Sequence, residues 1–288
     1  MNYTLGQDIL EVENVSLTLG GKLILRDINL KLNDVIRPGK TTGQIISLLG
    51  PSGRGKTQFF KLLAGLNKPT TGTIKLGHDK REVRAGQVGV VAQNYPLFEY
   101  RTVWGNLEYV CRVPGETEPG WNYGWNYLKH TKKIAAEKKE KIEFYLDKFQ
   151  MLEHKDKYPA LLSGGQRQRI AIIQQMLCSE HFILMDEPFS GLDPLMKDQV
   201  CHIIETVANL DEKNTIIIVS HDIPSAISIS QYIWILGYDY EDGKPLPGAR
   251  IKYIENLMDR GLSWKEDLVN TPEFFSFSKD IRNVFNEL

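Results

Sequence analysis

The sequence predicts an α/β fold, a mostly parallel sheet preceded by antiparallel strands and interrupted by a long helical insertion. Three observations predict it. Ile45–Leu49 is a short, wholly apolar run, the pattern of a strand buried on both faces, and it leads straight into a glycine loop and a helix. Phe182–Met185 and Thr215–Val219 repeat that pattern on either side of a helical stretch near 195–210, and strands alternating with helices imply parallel pairing. From about 102 to 180 the pattern turns helical.

Taken in chain order, residues 9–32 alternate apolar and polar positions: Leu10, Val12, Val15, Leu17, then Ile24, Ile28, Leu30. Gly20-Gly21 divides the two runs, which reads as antiparallel strands. Asn33–Thr42, with Pro38-Gly39, reads as a turn or an exposed hairpin tip. A helix is expected to start near Lys56, and Thr73–Leu76 and Val88–Ala92 read as further strands. Lys132–Phe149 is rich in Lys, Glu, Ala and Leu, with apolar residues at Ile134, Ile142, Tyr145, Leu146 and Phe149, and reads as a helix whose Lys- and Glu-rich stretch over 132–143 is a solvated face. Beyond Tyr238 the chain becomes turn-rich and ends in amphipathic segments, including Lys279–Leu288. The expected division is a domain over 1–238, with a helical subdomain inserted at about 95–178, and a C-terminal extension over 239–288.

The composition narrows the function classes. With 288 residues, 42% hydrophobic and 25% charged, the chain is long enough to bury a substantial core and is ordinary for a globular protein. A formal net charge of −1 does not suggest nucleic-acid or anionic-membrane binding. Cys111, Cys178 and Cys201 have no metal-like spacing and suit a reducing compartment. Met1-Asn2-Tyr3-Thr4 lacks the basic and apolar regions of a secretory signal. No apolar run approaches the ~18 residues that span a bilayer, so any service to a membrane is expected to run through a partner.

Two motifs carry chemistry on residue type and spacing alone. Gly50-Pro51-Ser52-Gly53-Arg54-Gly55-Lys56-Thr57 fits the phosphate-loop pattern G-x-x-x-x-G-K-[ST] in full, between a strand and a helix. Its glycines let the backbone curl so that N–H groups point inward at phosphate oxygens, and the helix N-terminus behind them adds partial positive charge. Lys56 is expected to bridge the β- and γ-phosphates, and the Thr57 hydroxyl to bind Mg²⁺. The second motif is the apolar strand 182–185 ending in Asp186-Glu187. Asp186 is placed to hold the Mg²⁺ shell, and Glu187 to polarise a water attacking the γ-phosphate.

Between these motifs lies Leu162-Ser163-Gly164-Gly165-Gln166, and after them Ser190-Gly191-Leu192-Asp193 and a strand ending in Ser220-His221-Asp222. In this order, over about residues 9–238, the set resembles the ATP-binding cassette (ABC) ATPase family. The resemblance implies a P-loop NTPase core with an N-terminal antiparallel β subdomain and an inserted α-helical subdomain, with ATP and Mg²⁺ as its ligands. It implies that Gln93, after Val90-Val91-Ala92, is the glutamine that reaches Mg²⁺ and the attacking water. His221 matches the switch histidine at the γ-phosphate, and Asp193 matches a loop crossing a dimer interface. Ser163 and Gly165, with Gly164 and Gln166 beside them, match positions that donate to the γ-phosphate held by a second, head-to-tail copy. Physically, this segment precedes a helix whose first N–H groups lack intrahelical partners. Ser163 is expected to serve as its N-cap as well.

The resemblance also implies partners. Pro96–Leu107 is similar to the surface that receives permease coupling helices in bacterial importers. The tail from Asn270 to Leu288 is loosely similar to tails of the nitrate/sulfonate/taurine importer branch. The expectation is an ATP hydrolase peripheral on the inner face of the cell membrane, working with permease subunits and a solute-binding protein and without nucleic acid. An exporter subunit and a soluble cassette ATPase stand as alternatives. Two features depart from the family pattern. Leu19 stands where an aromatic usually stacks on adenine, and Asn33–Thr42 is longer than the usual turn. The aromatic run Trp121–Tyr127 reads either as local packing under a loop or as an extension of the permease contact.

Overall fold

The N-terminal alternation builds two long antiparallel strands, β1 (Thr4–Leu19) and β2 (Lys22–Ile36), joined through Gly20-Gly21. Those glycines take φ of 55° and 76°, left-handed values that a tight hairpin requires and that glycine adopts without strain. The strands are longer than the alternation suggested. Thr4 pairs with Ile36, and Asp8 with Asn33. Residues 33–36 therefore belong to a strand and not to a hairpin tip, with Asn33 Nδ2 donating to Asp8 Oδ1 at 2.8 Å. Only 37–43 remain a connection before β3 (Gln44–Leu49).

The computed structural model describes residues 3–77, 79–112, 125–179, 181–265 and 267–288. The side chains of the aromatic run Trp121–Tyr127 lie outside the described residues. After β3 come α1 (Lys56–Leu63), β4 (Thr71–Leu76), β5 (Arg81–Glu82) and β6 (Gly89–Val91). Next are α2 (Val103–Arg112), α3 (Trp125–Lys148) and α4 (Gly164–Cys178). The chain continues through β7 (Phe182–Asp186), α5 (Pro194–Ala208), β8 (Thr215–Val219), α6 (Ile223–Ile229) and β9 (Tyr232–Gly237). It ends with β10 (Tyr240–Glu241), β11 (Lys244–Pro245), β12 (Arg250–Asn256) and α7 (Pro272–Glu287).

These elements fall into two units, residues 1–93 with 181–288, and residues 94–180. In the first unit, the main sheet runs β12-β9-β3-β8-β7-β6 among the described residues. Its pairs are parallel except the β12–β9 edge, which is antiparallel. β3 and β8 are buried along their whole length, which is why they read as continuous apolar runs. Each fully buried Ile or Leu there contributes roughly 1.5–3 kcal/mol relative to exposure. The β2-β1-β4-β5 sheet shares one apolar cluster with the main sheet, in which Val15, Leu25 and Ile28 meet Phe59, Leu62 and Trp234.

The segment 239–288 supplies the β12 edge strand and then packs α7 back on the sheet. Phe274, Phe277, Ile281 and Leu288 join Leu49, Ile227, Ile233 and Ile235 in a second apolar cluster. Thr271 caps α7 by accepting from Phe274 N, with Pro272 in the first turn.

The second unit consists of α2, α3 and α4 packed on one another. It buries Leu107, Ile142, Leu146, Ile170 and Ile173. α3 begins seven residues earlier than the periodicity indicated.

Candidate functional site

β3 delivers the phosphate loop at the C-terminal edge of the main sheet, the edge where open α/β sheets bind ligands. The loop has little room for anything but glycine. A Cβ on Gly50 would lie 2.4 Å from the Leu236 carbonyl oxygen, and Gly53 and Gly55 take φ of 79° and 89°. Gly55 is the N-cap of α1 and no side chain caps that helix. Gln58 N already donates to Gly55 O at 3.0 Å, which leaves the N–H groups of Lys56 and Thr57 for an outside acceptor, and α1 carries no acidic residue in its first turn to compete for them. Lys56 curls back over the loop, its Nζ donating to Gly50 O at 2.8 Å and to Pro51 O at 3.1 Å. Burial pushes its pKa down, and the carboxylates of Glu187 and Asp186 oppose that shift. A desolvated ammonium held only by carbonyls is poised to exchange them for a stronger, anionic partner.

The acidic side of the site comes from the next strands. β7 ends at Asp186, half buried, and burial followed by the neighbouring charge of Glu187 pushes its pKa up. Such a carboxylate gains most from a cation. Glu187 takes a left-handed φ of 51°, uncommon for a residue with a side chain. Its N–H bonds to Val219 O of β8 at 2.8 Å, so the turn is fixed by the adjacent strand. Its Oε2 accepts from His221 Nδ1 at 2.8 Å and from Ser220 Oγ at 3.4 Å. A cleft of about 370 Å³ is lined by the phosphate loop at Ser52, Gly53 and Gly55–Gln58, and by Glu187, Val219 and Ile24.

The phosphate loop, Asp186, Glu187 and His221 thus lie at one sheet edge. Gln93 follows β6, whose Val91 is level with Met185, so it leaves the sheet at the same edge. Asp193 is an exposed N-cap of α5, its Oδ1 accepting from Met196 N at 3.0 Å. The Arg54 side chain turns away from the cleft: its guanidinium lies over the Tyr238 ring at 4.5 Å. Leu19 ends β1, 42% exposed, and does not line the cleft, whereas aliphatic Ile24 does.

In the second unit, Ser163 is the N-cap of α4 in a reciprocal box. Ser163 Oγ accepts from Gln166 N at 3.3 Å, and Gln166 Oε1 accepts from Ser163 N at 2.9 Å. A Cβ on Gly164 would meet nothing, so this turn is open to an approaching group.

Some participants have no role assigned to them from the sequence. Ser220 is fully buried, donates to Glu187 and accepts from Asp222 N at 3.0 Å. Asp222 caps α6 and pairs with Lys197 of α5, which ties the His221 turn to a second helix. In the second unit, buried Asn106 bonds Phe98 N, Phe98 O, Arg101 O and Thr102 O, and so shapes the 98–102 loop, whose Glu99 and Tyr100 are exposed.

The donor set suits a Mg²⁺–nucleotide. The uncapped helix start and Lys56 are cationic in effect, the exposed Thr57 lines the cleft, and the half-buried Asp186 is close enough to Lys56 and Glu187 for their charges to act on it. Two protein oxygens with substrate phosphates completing the shell is the usual way Mg²⁺ is held.

The family model for ABC transporters matches residues 36–190, more than half of the chain. The chain is 34% identical over 228 residues to the sulfate/thiosulfate import ATP-binding protein CysA of Halalkalibacterium halodurans, covering 78% of this chain and 58% of that one. It is 28% identical over 271 residues to the nitrate import ATP-binding protein NrtD of Synechocystis, covering 92% and 89%. The chain thus spans little more than half the length of several import relatives and most of another. Among solved structures, cbiO1 of Clostridium perfringens superposes with a TM-score of 0.67 at 21% identity, over 98% of this chain and 96% of that one. A dimeric ATP-binding cassette in a post-hydrolysis state superposes with a TM-score of 0.60 at 22% identity, over 86% and 99%.

Proposed function

The chain belongs to the ABC transporter family, and from that premise we propose that it is the ATP-hydrolysing subunit of a bacterial-type importer. The observation that carries this reading is the joining at one sheet edge of an uncapped phosphate loop, Asp186 and the Glu187–His221 pair. The loop N–H groups and Lys56 bind the phosphates. Thr57 and Asp186 hold Mg²⁺, with Gln93 completing the set. Bound Mg²⁺ neutralises charge that develops on the phosphate oxygens. Glu187 takes the proton of the attacking water, and His221 and Ser220 fix the carboxylate that does so.

The reading extends to a head-to-tail pair of copies. Ser163, Gly164 and Gly165 form a helix start without an anion until a second copy brings its γ-phosphate. Each charge-assisted hydrogen bond so formed contributes roughly 1.5–3 kcal/mol, enough across two sites to drive closure. Hydrolysis then removes part of that drive. Among the described residues no helix is long and apolar enough to cross a membrane. Permease subunits are the membrane-spanning partner in this reading, with a solute-binding protein outside. The relatives named for import of sulfate and of nitrate support the importer over an exporter or a soluble ATPase. Isolation of the complex from membranes tests this: a co-isolated permease supports it, and a chain free of any membrane partner refutes it.

Two substitutions probe the site further. Ser163→Arg is expected to leave ATP binding by a single copy unchanged and to abolish the ATP-dependent dimer, measured by light scattering after chromatography. Loss of binding by the single copy would show instead that the segment only maintains the fold. Leu19→Tyr restores an aromatic surface for the base. Stacking of aromatic planes is worth about 0.5–1.5 kcal/mol, so ATP affinity should rise by about 2- to 10-fold. An unchanged affinity by titration calorimetry would mean that the base does not pass Leu19.

A further inference from the structure

His154 ends the short 3-10 turn Leu152–His154 ahead of α4, and is buried. Its Nε2 lies 2.8 Å from Gln166 Nε2. The direction of that hydrogen bond follows from the other end of the Gln166 amide. Gln166 Oε1 already accepts from Ser163 N–H at 2.9 Å, so the amide nitrogen, which can only donate, faces the imidazole. His154 Nε2 must therefore accept, and the ring proton resides on Nδ1. That Nδ1 is buried and has no hydrogen-bond partner among the described residues, so contacts at Nε2 alone choose the tautomer.

The competing contact is with Glu153, whose Oε1 is 3.4 Å from the same Nε2 and whose side chain is 80% exposed. It would favour a proton on Nε2. The shorter, more sheltered bond from Gln166 opposes it.

We propose that His154 is a positioning residue for the N-terminus of α4, holding the Gln166 amide in the orientation that closes the capping box on Ser163. Gln166 has a long side chain with several rotamers. Without an acceptor at its Nε2 it regains them, and the Ser163 N–H loses its partner. The helix start then presents its donors to an incoming phosphate less often. This last consequence rests on the composite-site reading above; the positioning itself does not.

The test uses the full chain with His154→Leu, which fills the space without an acceptor, and His154→Gln, whose Oε1 can accept near the position of Nε2. Two-bond ¹H–¹⁵N spectra of the wild type should show the Nδ1–H tautomer; a proton on Nε2 would assign the ring to Glu153 and overturn the proposal. Amide exchange at Ser163 should quicken roughly 3- to 10-fold in His154→Leu, the loss of one neutral hydrogen bond, and return towards wild type in His154→Gln. Equal exchange in all three proteins, or equal acceleration in both variants, overturns it. Steady-state turnover should fall by a similar factor in His154→Leu alone, with single-copy ATP affinity unchanged. If the wild type forms no ATP-driven dimer, the composite-site reading fails, while tautomer and exchange still decide the role of His154.

Discussion

Lys56→Ala is expected to weaken ATP binding by roughly 150- to 25,000-fold, the loss of two charge-assisted hydrogen bonds at roughly 1.5–3 kcal/mol each. The fold should survive the change. Lys56 is 8% exposed, and its ammonium is met by the carbonyls of Gly50 and Pro51, with no hydrogen-bonded carboxylate. Burial lowers its pKa, so the folded state holds that proton less firmly than the unfolded chain does. The sign follows: the unfolded state binds more protons between the two pKa values, so this group costs stability when charged, and the cost shrinks as pH rises through that window. Removing Lys56 removes the cost. The nucleotide-free variant should therefore melt at or above the wild-type temperature near neutral pH while binding ATP poorly. Calorimetric titration and thermal melting check both halves. Unchanged affinity would remove Lys56 from the phosphate contact, and a large drop in melting temperature would recast it as a structural brace.

That combination of a costly residue in a glycine-constrained loop is also why the loop could be read from sequence. Its residues are dictated by local geometry. Gly50 has a backbone oxygen where a Cβ would stand, and Gly55 must leave α1 uncapped. β3, β7 and β8 were equally legible, because a strand buried on both faces leaves an unbroken apolar run. β12 left a weaker trace. It is an edge strand with Arg250, Lys252 and Glu255 along it, and its partner is set by a sheet position that no local pattern encodes. α6, at seven residues with Ser225 and Ser228 among them, is too short to show a helical stripe. The extension of β1 and β2 to Thr4 and Ile36 rests on cross-strand partners such as Asn33 and Asp8, polar residues that resemble a turn when read singly.

Within the site, spacing could name Asp186 and Glu187 but not separate their environments. Asp186 faces desolvation and the like charge beside it. Glu187 turns out of the strand with a left-handed backbone, and reaches His221 and Ser220 on β8's far end, more than thirty residues away in sequence. Long-range partners of this kind, like His154 for Gln166, exist only once the chain has folded. The β7–β8 pairing is what makes them: Asp186 is level with Val219, so the residues after each strand emerge side by side.

Glu187→Gln uses that geometry to isolate the charge. The amide oxygen can still accept from His221 Nδ1, now 2.8 Å from the carboxylate, so the turn should hold its shape. The proton acceptor is gone, and turnover should fall by roughly 100- to 10,000-fold, the range of a lost general base. ATP binding should not fall with it. Glu187 is one of the charges that pushes the Asp186 pKa up, and its neutralisation lets Asp186 ionise more readily and ligate a cation better. Nucleotide affinity in Mg²⁺ should be retained or improved, and the ATP-bound dimer should accumulate, because closure proceeds and the step that reverses it does not. Single-turnover hydrolysis and the dimer fraction at saturating ATP measure the two effects separately. Normal turnover would exclude Glu187 as the base. Slow turnover with no dimer would leave the base in place and remove the second copy from the mechanism.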